Sequence, residues 1–220
     1  MSSSNRLGDA VGTGGDGARD RLTILAGTGQ NVIGLGVFVI ASFGMNILIA
    51  QAFGEGSAAF GQITVATQLA FVVGAATRFG MDMAAVRLVA IGRGARDVGN
   101  LRSLVERCAG IALAASVLVA AGLAATAPLY GDYSRVIALA ALSVPLIAVT
   151  NVYLGATRGL GQMSQTLYVF WIGQPLVWIG VTGAAIAAGG ATDAAVGAWD
   201  ASWLAAALAA RMLWRRAAAG

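Results

Sequence analysis

Residues 32–53 read VIGLGVFVIASFGMNILIAQAF, an apolar run of full membrane-spanning length that contains no charged residue. A helix needs about 20 apolar residues to cross roughly 30 Å of hydrocarbon, so we predict a transmembrane helix here. Five further stretches of this kind follow, the last interrupted by Asp200. The predicted spans are 32–53, 60–81, 108–130, 136–157, 166–188 and 194–213.

The composition agrees with a chain whose main solvent is lipid. Hydrophobic residues make up 58% of the sequence and charged residues 11%, with a mean hydropathy of +0.76. Runs of Ala, Leu, Val and Gly of this length are too long for barrel strands. The sequence therefore predicts an all-α membrane protein, with a six-helix lobe over 29–216 and a disordered, Gly- and Ser-rich tail over 1–28.

The basic residues indicate the orientation of the spans. All fourteen are arginine, and twelve of them lie before the first span, between the second and third, after the fourth, or at the end of the chain. The positive-inside rule places these segments in the cytoplasm. We therefore predict a multi-pass protein of the cytoplasmic membrane with both termini inside, Arg135 outside, and Arg78 within the second span.

Several function classes are disfavoured by the residue types present. The chain has no histidine and one cysteine, Cys108, which leaves no plausible zinc site or disulfide. The glycine cluster at 12–17 has no strand before it, and no catalytic motif is found. Because the arginines flank predicted spans, nucleic-acid binding is not expected either. We predict no enzyme activity, no metal and no cofactor.

Two sites of buried charge are candidates for a substrate pathway. Arg78 and Asp82 stand four residues apart, a spacing that allows an ion pair on one helix face. Arg78 lies near the cytoplasmic end of its predicted span, so snorkelling to the interface is the alternative to a role in a polar cavity. Asp200 lies about 9 to 10 Å below the outer end of the sixth span. We expect it to face protein or water, since an exposed charge in lipid is costly.

The fifth span carries Trp171, Gln174 and Trp178 on one predicted helix face beside Pro175. Such a face could hold a sugar or a prenyl chain. An aromatic belt with an interhelical hydrogen bond is the alternative.

Amides and helix breakers in other spans give further candidates. Asn46 and Gln68 could contact a ligand or join helices, and Pro145 predicts a bend in the fourth span. The sequence GATRG at 155–159 fits the G-x-x-x-G helix-packing motif, but a chain with 31 glycines yields such matches by chance.

Two segments resemble the oligosaccharide flippases of the MOP superfamily. Residues 46–90, NILIAQAFGEGSAAFGQITVATQLAFVVGAATRFGMDMAAVRLVA, are similar to that family's first two helices, and residues 151–162, NVYLGATRGLGQ, are similar to its junction between helices four and five. The matching positions are Phe53, Gly54, Phe60, Gly61, Gly80, Arg87, Val89, Ala90, Arg158, Gly159 and Gly161.

The resemblance implies one six-helix lobe of a transporter that moves a polyprenyl-pyrophosphate-linked oligosaccharide across the membrane. Arg78 would then be the contact for the pyrophosphate. Family members have two such lobes, so we expect a fragment of a longer protein; a second six-helix partner and a homodimer are the alternatives.

Two other functions stay open. A cation-coupled multidrug exporter of the same superfamily would use Asp200, and a non-transporting subunit of a polysaccharide assembly complex would need no cavity.

Overall fold

The computed structural model describes residues 14–54, 57–94 and 98–218, and these are helical except for short turns. No strand occurs among them, which confirms the all-α prediction. In chain order the helices are α1 Gly14–Phe53, α2 Ala58–Ala76, α3 Met81–Gly94, α4 Val98–Thr126, α5 Ser134–Ala140, α6 Ser143–Gly159, α7 Ser164–Thr166, α8 Gln174–Ala187 and α9 Thr192–Ala217.

Four segments of the described chain are long and apolar enough to cross a membrane: Val32–Phe53, Ala58–Ala76, Asn100–Ala140 and Ser164–Ala187. Their presence supports the assignment to a membrane. The first, second and fourth segments overlap the predicted first, second and fifth spans. The third covers the predicted third span and the start of the fourth, joined by a 3-10 turn in which Gly131 leaves the helical region.

Helix α1 extends beyond the first predicted span toward the N-terminus. It begins at Gly14, so residues 14–28 belong to it, while residues 1–13 of the predicted tail lie outside the described part of the chain. Extending an existing helix adds one backbone hydrogen bond for each residue that is fixed. The apolar half of α1 therefore provides a nucleus onto which the polar residues before it can add.

The second span ends earlier than predicted, at Ala76. Phe79 and Gly80 follow with φ angles of +46° and +75°, and glycine adopts such values without the steric penalty of a Cβ atom. Arg78 therefore lies in the turn between α2 and α3.

The segment between predicted spans two and three is helical over its described residues, 82–94 and 98–107. It contains α3 and the first turns of α4, and Ala85 and Val89 on α3 are completely buried in the core. Arg87 points away from the core and is exposed. Helix α3 is therefore amphipathic, with Ala85 and Val89 on its buried side and Arg87 on its exposed side.

Helix α6 lies at the centre of the bundle and packs against α2, α3, α4 and α9. A Cβ atom added to Gly155 would lie 2.6 Å from the backbone oxygen of Asp82, and one added to Gly159 would lie 2.8 Å from that of Val86. The contacts advance in the same direction along both chains, so α3 and α6 are parallel. The interpretation of GATRG as a chance match is wrong, because both glycines allow close backbone contact.

Two of the three prolines inside predicted spans, Pro145 and Pro175, follow breaks in regular helix. Pro145 follows an interruption at residues 141–142, between α5 and α6, as the predicted bend requires. Pro175 follows a π-helical segment, Leu167–Gly173, that joins α7 to α8. Proline lacks the N–H group that would continue the preceding turn, and wider turns accommodate that loss.

The contact at Gly155 predicts the effect of adding one methyl group. We expect Gly155→Ala to destabilise the bundle by about 1 to 3 kcal/mol, since α6 must move away from the α3 backbone. The measurement is thermal unfolding of the detergent-solubilised protein.

Gly180→Ala on α8 is the matched control, because nothing lies within 4 Å of its Cβ position. It should leave stability unchanged or raise it by up to about 1 kcal/mol. Equal unfolding temperatures for Gly155→Ala and the unaltered protein would contradict the close contact.

Candidate functional site

Two cavities lie among α1, α2 and the segment from α7 to α8. One, of about 540 Å³, is lined by Arg78, Asp82 and Arg158, and we call it the arginine cavity. The other, of about 260 Å³, contains the side chains of three amides and is named the amide cavity. Those amides are Asn46, Gln68 and Gln174.

The predicted ion pair is present in the arginine cavity. Nη1 of Arg78 lies 3.1 Å from Oδ2 of Asp82, with 27% and 15% of the two side chains exposed. Arg78 also donates from Nε to the backbone oxygen of Ala75 at 3.0 Å. The pair forms across the turn after α2, since Gly80 directs the chain into α3 and places Asp82 beside Arg78.

Arg158 lines the arginine cavity, although the distribution of arginines in the sequence indicated only a role in orienting the spans. It lies at the end of α6, half-buried, and donates from Nε to the backbone oxygen of Leu154 at 3.4 Å. Arg78 and Asp82 both lie within electrostatic range of it. Arg158 lies inside the GATRG motif, so the contacts of Gly155 and Gly159 with α3 place it near Asp82. The motif was therefore the feature of the sequence from which the position of Arg158 could have been predicted.

The charges of the arginine cavity do not cancel. Two guanidinium groups face one carboxylate, which leaves one positive charge in excess. Across residues 14–54, 57–94 and 98–218 no group of three or more His, Cys, Asp or Glu side chains could hold a metal ion. The arrangement instead suits an anion with several oxygens, because guanidinium groups bind such anions through paired hydrogen bonds.

The predicted amides have different bonding. Asn46 donates from Nδ2 to the backbone oxygen of Ser42 on its own helix at 2.9 Å, while Gln68 is exposed toward the amide cavity. Gln174 donates from Nε2 to Ser202 Oγ on α9 at 3.0 Å. Gln174 therefore lines the cavity and also joins two helices. It combines the predicted cavity position with the interhelical hydrogen bond that was the alternative.

Three phenylalanines, Phe38, Phe71 and Phe170, line both cavities. The ring centroids of Phe71 and Phe170 are 6.4 Å apart, so these side chains form an apolar boundary between the charged and the amide-lined spaces.

Trp171, Gln174 and Trp178 do not share one cavity as their spacing predicted. Trp171 lines the arginine cavity, whereas Gln174 and Trp178 line the amide cavity. The π-helical segment before Pro175 changes the angular relation between Trp171 and the residues after it. A face assignment based on a regular α-helix therefore fails at this position.

Two tryptophans of α9 were missed. Trp199 and Trp203 line the amide cavity, and each makes an edge contact, with Trp178 at 4.7 Å and with Phe170 at 5.6 Å between centroids. Their spacing of four residues on one helix face was a usable signal, although it does not say which side of the bundle they face.

Asp200 lines neither cavity. Its carboxylate lies against the backbone amide of Ser143 at the start of α6, and its Oδ1 atom has no hydrogen-bond partner in the described structure. Asp193 lies seven residues earlier on α9, and its Oδ2 atom is 2.6 Å from Nη2 of Arg135. Asp200 therefore faces protein, which is one of the two surroundings, protein or water, that we expected for it.

Comparisons of the chain with protein-family models, with curated proteins and with solved structures find no match. Its function is therefore inferred from the two cavities and the charges that line them.

Proposed function

We propose that this chain is a six-span lobe of an oligosaccharide flippase of the MOP type, which moves a polyprenyl-pyrophosphate-linked oligosaccharide across the cytoplasmic membrane. The observation that carries this proposal is the excess positive charge of the arginine cavity. Arg78 is balanced by Asp82 at 3.1 Å, and Arg158 supplies a second guanidinium group beside them. A pyrophosphate offers the negative charge and the several acceptor oxygens that this pair of arginines lacks.

The neighbouring surfaces suit the other parts of such a substrate. Phe38, Phe71 and Trp171 give the arginine cavity an apolar wall that is compatible with a prenyl chain. The amide cavity combines Trp178, Trp199 and Trp203 with polar side chains. Aromatic faces and amides together match a sugar, which has both apolar faces and hydroxyl groups.

Six passes are consistent with the ion pairs at the ends of the helices. We assign one pass each to α1, α2 with α3, α4, α5 with α6, α7 with α8, and α9. Arg135 pairs with Asp193, and both belong to connectors predicted outside. Nη2 of Arg211 lies 3.9 Å from Oε2 of Glu106. Arg211 is near the inner end of the sixth predicted span, and Glu106 belongs to a connector predicted inside. A partner lobe, from a second protein or a second copy, would complete the transporter.

Binding of pyrophosphate lipid is the first test. We expect Arg158→Gln and Arg78→Gln each to weaken binding of a polyprenyl pyrophosphate by roughly tenfold or more, the loss of about one charge-assisted hydrogen bond. Native mass spectrometry of the full chain in detergent measures this binding without requiring a second lobe, and a fluorescent analogue in proteoliposomes reports movement.

Arg87→Gln is the matched control, since Arg87 is exposed on α3 and does not line either cavity. It should bind as the unaltered protein does. Tight binding that survives both cavity substitutions would remove the arginines as the headgroup site, and no binding by the unaltered chain would favour a non-transporting subunit.

A cation-coupled multidrug exporter is the second candidate, favoured by the unpartnered Oδ1 atom of Asp200. If the exporter proposal holds, Asp200→Asn should abolish proton-driven drug efflux in proteoliposomes, because an amide cannot bind and release the coupling proton. Under the flippase proposal the same change should leave binding of pyrophosphate lipid unaltered.

Asp193→Asn is the control for that test, as it lies on the same helix and pairs with the exposed Arg135. Drug efflux that is insensitive to Asp200→Asn would count against proton coupling at this residue.

A further inference from the structure

A third cavity, of about 300 Å³, lies between α4, α6 and α9, away from the two cavities described above. Its lining residues come from 106–113, 145–153 and 204–211. Each stretch rises by roughly 11 to 12 Å at 1.5 Å per residue. The cavity is therefore an elongated groove that follows the three helices, and we call it the α4–α6–α9 groove.

Most of the groove is apolar and open to the surroundings. Leu113, Leu204 and Leu208 line it and are 45%, 49% and 54% exposed. Gly110 leaves further space, since nothing lies within 4 Å of the position that its Cβ would take. In a membrane protein, exposed apolar surface of this kind faces hydrocarbon chains.

One end of the groove is polar and carries both signs of charge. Tyr153 donates from Oη to Oε2 of Glu106 at 2.8 Å, and Nη2 of Arg211 lies 3.9 Å from the same oxygen. The Arg211 side chain is 46% exposed, so its guanidinium group is accessible to a ligand. This end has the charge pattern that complements a zwitterion.

The carboxylate of Glu106 is only partly hydrogen-bonded. Its Oε1 atom is buried and has no partner among the residues that the structure describes. A buried carboxylate oxygen without a donor is costly. The terminal torsion of glutamate is soft, so the carboxylate can turn this oxygen toward a donor that arrives at the mouth of the groove.

We propose that the α4–α6–α9 groove binds one phospholipid with a zwitterionic headgroup that ends in a primary ammonium, as in phosphatidylethanolamine. Arg211 holds the phosphate, Glu106 accepts a hydrogen bond from the ammonium, and one acyl chain follows the leucines. A trimethylammonium headgroup has the same charge and no N–H donor, so it satisfies Glu106 less well. This site is independent of the proposed transport function.

The first experiment fills the groove without changing its charges. Native mass spectrometry of the full chain in detergent, titrated with phosphatidylethanolamine, should show about tenfold weaker binding for Gly110→Leu, since the new side chain occupies the path of the acyl chain. Gly122→Leu is the matched control, because it lies on the same helix, is also free of neighbours within 4 Å, and does not line the groove.

The second experiment tests the headgroup with three lipids: phosphatidylethanolamine, phosphatidylcholine and phosphatidylglycerol. Arg211→Gln should weaken binding of all three by about tenfold, while Arg216→Gln at the exposed end of α9 should not. Glu106→Gln should abolish the preference for the ethanolamine lipid over the choline lipid.

Three lipid-binding results would overturn the proposal. They are unchanged lipid binding by Gly110→Leu, equal affinity of the unaltered protein for the ethanolamine and choline lipids, and a preference for the anionic glycerol lipid. A dimer of the chain that Gly110→Leu dissociates would also overturn it, because a second copy would then occupy the groove.

Discussion

The close approach of α6 to α3 is the contact on which the rest of the structure depends. Gly155 and Gly159 present no side chain to the backbone oxygens of Asp82 and Val86. In lipid, apolar surface alone does not drive helices together, so such packing contributes much of the association energy. The contact also fixes the site, because Arg158 lies between the two glycines and Asp82 belongs to the facing turn. One packing motif thus stabilises the bundle and sets the distance between its buried charges.

The apolar helices could be predicted from the sequence, whereas the boundaries near charged residues could not. Residues 32–53 contain no charge and form a segment whose length and composition allow it to span a membrane, as expected. Residues 81–94 contain Asp82, Arg87 and Arg93, which gave them the appearance of a connector, yet Ala85 and Val89 lie in the core. Mean composition over a window does not separate a loop from an amphipathic helix whose buried side is narrow. Averaging over a window also fails to detect the short turn at Phe79 and Gly80.

The candidate site was predictable in its residue types and less so in its geometry. Depth and spacing identified Arg78 and Asp82, and the structure pairs them. Trp171 and Gln174 were also identified, but the π-helical turn between them separates them into different cavities. Hydrophobic periodicity assumes a constant angle per residue, and Pro175 removes that assumption. Arg158, Trp199 and Trp203 needed knowledge of which helix faces meet, and this depends on tertiary packing rather than on local pattern.

The charges that remain after packing are the reason for proposing that the arginine cavity binds an anion. An isolated ion pair such as Arg78 with Asp82 could be replaced by apolar side chains at little cost to stability. A second arginine in the same space makes the cluster less favourable for folding, since the nearest carboxylate is already paired at 3.1 Å. A net positive charge in a partly buried cavity is offset when an anion occupies it, and such an interaction is stronger where the charges are partly shielded from bulk water. Under the proposed function, the same residues that lower the stability of the empty bundle would raise its affinity for a phosphate-bearing lipid.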